Sequence, residues 1–236
     1  MNSNSELQDG IYATRFDLHR QAEYVAASKD LSNRTPAVST LNFYRRIDEA
    51  LAAAKMDSHA PLVCANNCSY CCFLKVQVSA VEAIVIAKHV SESFKPHRIR
   101  DVIGRAQANA LEVKGLSEKE HLVLNQRCAF LEEGTCSIYA VRPSECRKYH
   151  SVDVAVCRAT YEQPSNLNIV AAYSQEFADA GQGTKHGFEA ATLEAGFDQR
   201  EYDLSSAFLE AMRVPNLSER LKAGQRAFKT AKVISP

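Results

Sequence analysis

The sequence predicts a mainly α protein, a compact helical domain with cysteine-rich loops and a short β-hairpin around a metal site. Three observations predict it. Apolar residues recur at three-to-four spacing over long stretches, and two helix starts carry capping-box signatures. All eight cysteines fall between Cys64 and Cys157, in segments broken up by turn residues.

Residues 6–55 read as mostly helical. The clearest piece runs from Val38 to Lys55, with Leu41, Tyr44, Ile47, Leu51 and Ala54 on one face. Asp57, Ser58, His59 and Pro61 stop it, and the loop CANNCSYCC follows. Phe73 to Val78 reads as extended, because Val76 and Val78 alternate with Lys75 and Gln77. Ser79 with Glu82 forms a capping box, which accounts for Glu82 better than a ligand role does. The helix behind it buries Val81, Ile84, Val85 and His89 or Val90. A helix after Pro96 carries Ile99, Val102, Ile103, Ala106 and Ala110, and Ser117 with Glu120 marks another capped start.

AFLEEGTCSIYAV reads as a hairpin in which Phe130 and Leu131 meet Ile138 and Tyr139 across a turn at Glu132 to Gly134. Pro143 suits the first turn of a helix carrying Cys146 and Arg147. Beyond Cys157 the chain reads as helical again, with breaks at Gly181, Gly183, Gly187, Gly196 and Pro215. The first three glycines resemble a dinucleotide loop but have the wrong spacing, so they read as a helix-breaking loop. Ala171–Glu210 holds eight acids and two bases, and Arg213–Pro236 six bases and one acid. That asymmetry reads as two helices of opposite charge packed together. Without a repeat or a long polar linker, residues 1–236 read as one domain. Its cysteine-cluster core spans 64–157, with helical flanks at 1–63 and 158–236.

Composition narrows the function. The 236 residues carry 28 basic and 28 acidic side chains, so the broad positive field of a general nucleic-acid binder is missing. MNSNSELQDG has neither a basic start nor an apolar run of signal type, and the longest mostly apolar stretch, Ala80 to Ala87, is far short of a membrane span. The expectation is a cytoplasmic protein with no nucleic-acid or membrane partner. In that reducing setting eight cysteines point to metal or redox chemistry before structural disulfides.

The cysteines form two patches, Cys64-x3-Cys68-x2-Cys71-Cys72 and Cys128-x7-Cys136-x9-Cys146-x10-Cys157. Four thiols within nine residues do not share one face of a periodic element. They suit a loop wrapping an ion, where thiolates converge to about 2.3 Å from the metal. Burial of free cysteine as a small hydrophobe competes with this reading, most strongly for Cys157. A Cys68–Cys71 redox pair competes too, but no βαβ unit surrounds it. Adjacent side chains diverge, so Cys71 and Cys72 suit two sites or one multinuclear site. There is one C-x2-C knuckle, and no histidine lies between the cysteines at ligand spacing. Iron or an iron–sulfur cluster is therefore favoured over zinc, which stays the alternative. Arg127, Arg142, Arg147, Lys148 and Arg158 lie near the second patch. Arg142 and Arg147 are the best candidates to offset thiolate charge.

CANNCSYCC, then FLKVQVSAVEA, then RCAFLEEGTCSIYAVRPSECR resemble the CxxCxxCC cysteine-cluster family, also called YkgJ-like, over about residues 64–157. LNFYRRIDEAL before them is a weaker likeness. The family is described as zinc- or iron-chelating, and the resemblance implies metal ligation by Cys64, Cys68, Cys71, Cys72, Cys128, Cys136, Cys146 and Cys157. Flagellin lysine methylases are similar in their cysteine cluster, which makes cluster-dependent methyl transfer conceivable, although no methyl-donor domain is visible.

The expected function is a metal-binding protein with a redox, storage or delivery role. The alternatives are a cluster-dependent enzyme for methyl or electron transfer, and a structural zinc module binding a protein partner. Whether the chain is an enzyme stays open. Tyr139, Tyr149 and His150 lie near the ligands and could serve as acid or base, or pack with a polar tip.

Overall fold

The computed structural model describes residues 3–65, 67–214, 217–221 and 225–234. The chain is mainly helical, as expected. Helices α1 (Ser3–Asn33), α2 (Pro36–Asp57) and α8 (Gln175–Glu194) pack as one group, with α8 lying along α1. Helices α3 (Ala80–Ser93), α4 (Pro96–Glu112) and α9 (Leu204–Arg213) form a second, joined to the first where α2 meets α3. One apolar cluster runs through both, from Ala27 and Phe43 to Val102, Phe208 and Ala231. A small antiparallel sheet of β1 (Gln77–Ser79), β4 (Glu201–Asp203) and β5 (Val233–Ile234) buries Val78 and Tyr202, which face each other in register.

Helix α2 starts because Thr35 caps Val38 N–H and Pro36 occupies the first turn, where a missing N–H costs nothing. Its buried face differs from the sequence pattern at one place. Leu41 faces outward, and Phe43 takes the core position, stacking on Phe188 at 4.2 Å. Phe73 to Val78 is not one extended piece. Tyr70–Phe73 forms a 3₁₀ turn, and the strand starts only at Gln77.

Both expected capping boxes form, at Ser79–Glu82 and Ser117–Glu120. Glu82 does more than cap α3. Its buried carboxylate also accepts from Ser144 N–H at 2.8 Å and from the Tyr44 hydroxyl at 3.3 Å. One side chain thus joins α2, α3 and the start of α6 (Ser144–Lys148), the helix of Cys146. Glu82→Ala leaves those buried donors unpaired, so it should lower unfolding stability by about 2 kcal/mol. Urea titration checks this, and an unchanged midpoint would count against the junction.

The hairpin is tighter than the pattern suggested. Strands β2 (Leu131–Glu132) and β3 (Thr135–Cys136) enclose a two-residue turn, Glu133–Gly134, with φ of 48° and 80°. Positive φ at both turn positions matches strand twist, and glycine adopts it without strain. Leu131 therefore faces Cys136, while Tyr139 falls in a 3₁₀ turn, Tyr139–Val141.

The glycine-rich segment overturns its reading as a loop, because Gly181, Gly183 and Gly187 all lie inside α8. A Cβ at Gly183 would fall 2.5 Å from Phe16 O, and one at Gly187 would overlap Arg20 O and lie 2.9 Å from Tyr24 N. These glycines let the α1 and α8 backbones touch. Gly196, with φ of 74°, does end α8, as expected. Phe197 N–H bonds to Thr192 O and Gly196 N–H to Leu193 O, the pattern of a glycine-terminated helix.

The expected pair of oppositely charged C-terminal helices is also corrected. Glu210 on α9 accepts from the backbone N–H groups of Lys229, Thr230 and Ala231, in a non-helical segment that leads into β5. Pro215 lies outside the described residues. Among the described residues no helix is long and apolar enough to cross a membrane.

Candidate metal centre

The first cysteine patch is held between two partners. On one side Cys128 N–H donates to Cys72 O at 2.8 Å, which ties the hairpin segment directly to the 3₁₀ turn. On the other, Tyr161 of α7 (Val154–Glu162) meets Phe73 edge-on at 4.8 Å and Tyr70 at 5.7 Å. Arg158 reaches the Tyr70 hydroxyl at 3.3 Å, and Val63 N–H bonds to Ser151 O at 3.0 Å. Asn67 takes φ of 68°, a left-handed conformation asparagine tolerates, as the chain turns between Cys64 and Cys68. Segments far apart in sequence therefore bring their cysteines to one region.

All eight cysteines are free thiols, with Cys64 exposed and the other seven partly buried. Burial pushes the Cys146 thiol far up, and the charges of Cys128, Cys136 and Cys71 raise it further. Burial holds Cys128 at about 11, with Cys136 and Cys71 again adding to it. Cys64 is raised by burial and then by Cys71, Cys157 and Cys68. Two groups emerge. The inner one is Cys128, Cys136 and Cys146, and the outer one is Cys64, Cys68 and Cys157. Cys71 lies within charge range of members of both. Its own thiol is raised first by a hydrogen bond with the adjacent Cys72 thiol and then by burial.

Such thiols repel one another as anions, and a divalent cation reverses that repulsion because a coordinating thiol deprotonates. The donor set fits a metal that prefers sulfur. Among the described residues no three Cys, His, Asp or Glu side chains stand at ligating geometry. The structure thus places the cysteines in one region but does not display a metal site.

The two arginines singled out in the sequence both act on Cys136, where they oppose the upward effect of burial. Arg147 is buried and pinned by Arg142 O at 2.9 Å, Ala140 O at 2.6 Å and the Asp48 carboxylate, with its guanidinium over the Tyr44 ring. Arg142 lies over the Tyr139 ring and also meets Asp48. Arg105 of α4 does the same for Cys128, while donating to Ala129 O at 2.7 Å and pairing with Glu132. No sequence signal marked Arg105, because it joins the cluster only through packing. Arg127, Lys148 and Arg158 are occupied by Leu131 O, Glu145 and the Tyr70 hydroxyl.

Of the three acid–base candidates, Tyr149 faces the outer group. Burial, then Cys157, Cys71 and Cys64, hold its phenol at about 12. His150 is structural. Its Nε2 lies 2.9 Å from Ser174 N and 3.1 Å from Ser174 O, and its Nδ1 lies 3.0 Å from Lys148 O, so both ring nitrogens are held by backbone. Tyr139 is 64% exposed beneath the Arg142 guanidinium, a packing role. A cleft of about 480 Å³ lined by Leu41, Tyr44, Arg45, Asp48, Ala140 and Arg147 contains no cysteine.

The fold and the candidate site together describe a helical scaffold that brings many free thiols near one another. Residues 63–173 match the CxxCxxCC family model, described as a putative zinc- or iron-chelating domain. The match bears out the resemblance read from the motifs and extends it through α7, and it supports metal binding in general. No curated protein and no solved structure matches the chain.

Proposed function

We propose that the chain, as one domain, is a cytoplasmic metal-binding protein that stores or delivers iron or zinc through its eight cysteines. The observation that carries this reading is the contact joining the two cysteine patches, Cys128 N–H donating to Cys72 O at 2.8 Å. Closed structural zinc sites bury their ligands, whereas here Cys64 is exposed at the rim. An accessible ligand supports exchange over a purely structural role. Iron, including an iron–sulfur cluster, is favoured over zinc, since the vicinal pair suits more than one metal position.

The test is elemental analysis with an ultraviolet–visible spectrum of protein purified without oxygen. Near-stoichiometric metal is expected, with visible absorbance for iron. Metal-free protein with eight freely titrating thiols would refute the reading.

Metal and fold should also be coupled, because binding draws the segments carrying Cys64 and Cys68, the hairpin and α7 onto shared ions. Chelation should cost several kcal/mol, on the order of structural site energies, and lower the melting temperature. An unchanged melt after verified metal removal would show that the helical core stands alone.

A further inference from the structure

Cys128 and Cys146 are partly buried, and the surface of Cys128 opens onto a small neighbouring space. One small cavity, about 20 Å³, is lined by Cys128 together with His121, Lys75, Leu124, Gln126 and Asp203. That volume holds one water molecule or one bare ion.

His121 lines this cavity. It sits on α5 (Glu118–Leu122), is only 2% exposed, and its Nδ1 has no hydrogen-bond partner among the described residues. An unpaired buried nitrogen costs about 1–3 kcal/mol, and the cavity is the space in which its partner can sit. The surrounding charges largely balance. Asp203 and Glu118 attract a cation while Lys232 and Lys75 oppose it. Lys75 is itself paired with Glu118, and Lys232 Nζ is occupied by Val113 O and Leu116 O. Burial keeps the imidazole neutral, the form that ligates metals.

We propose that His121 is a transfer ligand, which takes a divalent transition-metal ion through Nδ1 in this cavity and passes it to Cys128 of the inner group. Imidazole and thiolate are both accepted by zinc and iron, so a borderline ion can exchange between them. The inference rests on the metal-binding reading and adds to it the route of loading.

The experiment uses the full metal-free chain mixed rapidly with cobalt(II), whose sulfur-to-metal absorption reports thiolate binding. His121→Gln should slow development of the band on the order of tenfold and leave its final height unchanged. His121→Cys, which restores a ligand, should recover most of the rate, and His97→Gln on the exposed side of α4 should load like the unaltered protein. If circular dichroism shows that His121→Gln fails to fold, Leu124→Phe, which fills the cavity from another wall, should slow loading in its place. Unaltered kinetics in the cavity variant would mean that the cavity holds water only, and a lower final band would make His121 a resident ligand; either result overturns the transfer role. Absence of any band in the unaltered protein would instead remove the metal-binding reading on which the proposal stands.

Discussion

Cys71→Ser should remove more metal than any other single cysteine substitution, on the order of half or more of what is bound. The reason is position. Cys71 is the thiol whose charge acts on Cys64 of the outer group and on Cys128, Cys136 and Cys146 of the inner one. Cys157→Ser should remove only the outer share, and Cys136→Ser or Cys146→Ser only the inner. Cys72→Ser should lower the content incompletely, since Cys72 is not among the thiols whose charges act on Cys64, Cys128 or Cys146. Metal per protein is measured for each variant, purified side by side without oxygen, with Lys55→Ser on the exposed side of α2 as a neutral comparison. Full metal in Cys71→Ser would make that cysteine a passenger and reduce the two groups to one four-thiolate site.

Gly187→Ala should destabilise the protein by about 3 kcal/mol, because the new methyl group meets backbone rather than a side chain that can swing aside. Intrinsic propensity points the other way, since alanine in a helix is favoured over glycine by up to about 1 kcal/mol. Gly104 supplies the contrast within the same chain. It lies in α4 with nothing within 4 Å of a built Cβ, so Gly104→Ala should stabilise by up to about that 1 kcal/mol. Chemical denaturation of both variants reads the two signs directly. Stabilisation by Gly187→Ala would mean that α1 and α8 separate at little cost.

The parts of this fold that were legible in the sequence act over a few residues. Ser79 and Glu82, or Ser117 and Glu120, sit three apart and close their own capping boxes whatever surrounds them. Pro36 and Pro96 mark helix starts in the same way, and Gly196 marks a helix end. The cysteine motifs were legible for a related reason. Thiol-rich spacing is a chemical signature that survives ignorance of the fold, and the family match over residues 63–173 agrees with it.

Other features were illegible because the deciding partner lies far along the chain. Gly183 and Gly187 look like helix breakers until Phe16 and Arg20 are placed against them. Leu41 and Phe43 are equally apolar, and only the position of Phe188 selects which one is buried. Arg105 carries no mark of its influence on Cys128, and the second role of Glu82, at Ser144, requires α6 to be docked. From its sequence alone the chain is a mainly helical protein with thiols for soft or borderline metals, because periodicity, caps and side-chain chemistry are local properties. That the two cysteine patches lie together is decided by tertiary structure, through the Cys128 N–H bond to Cys72 O and Tyr161 lying against Phe73, contacts between segments that no short-range rule connects.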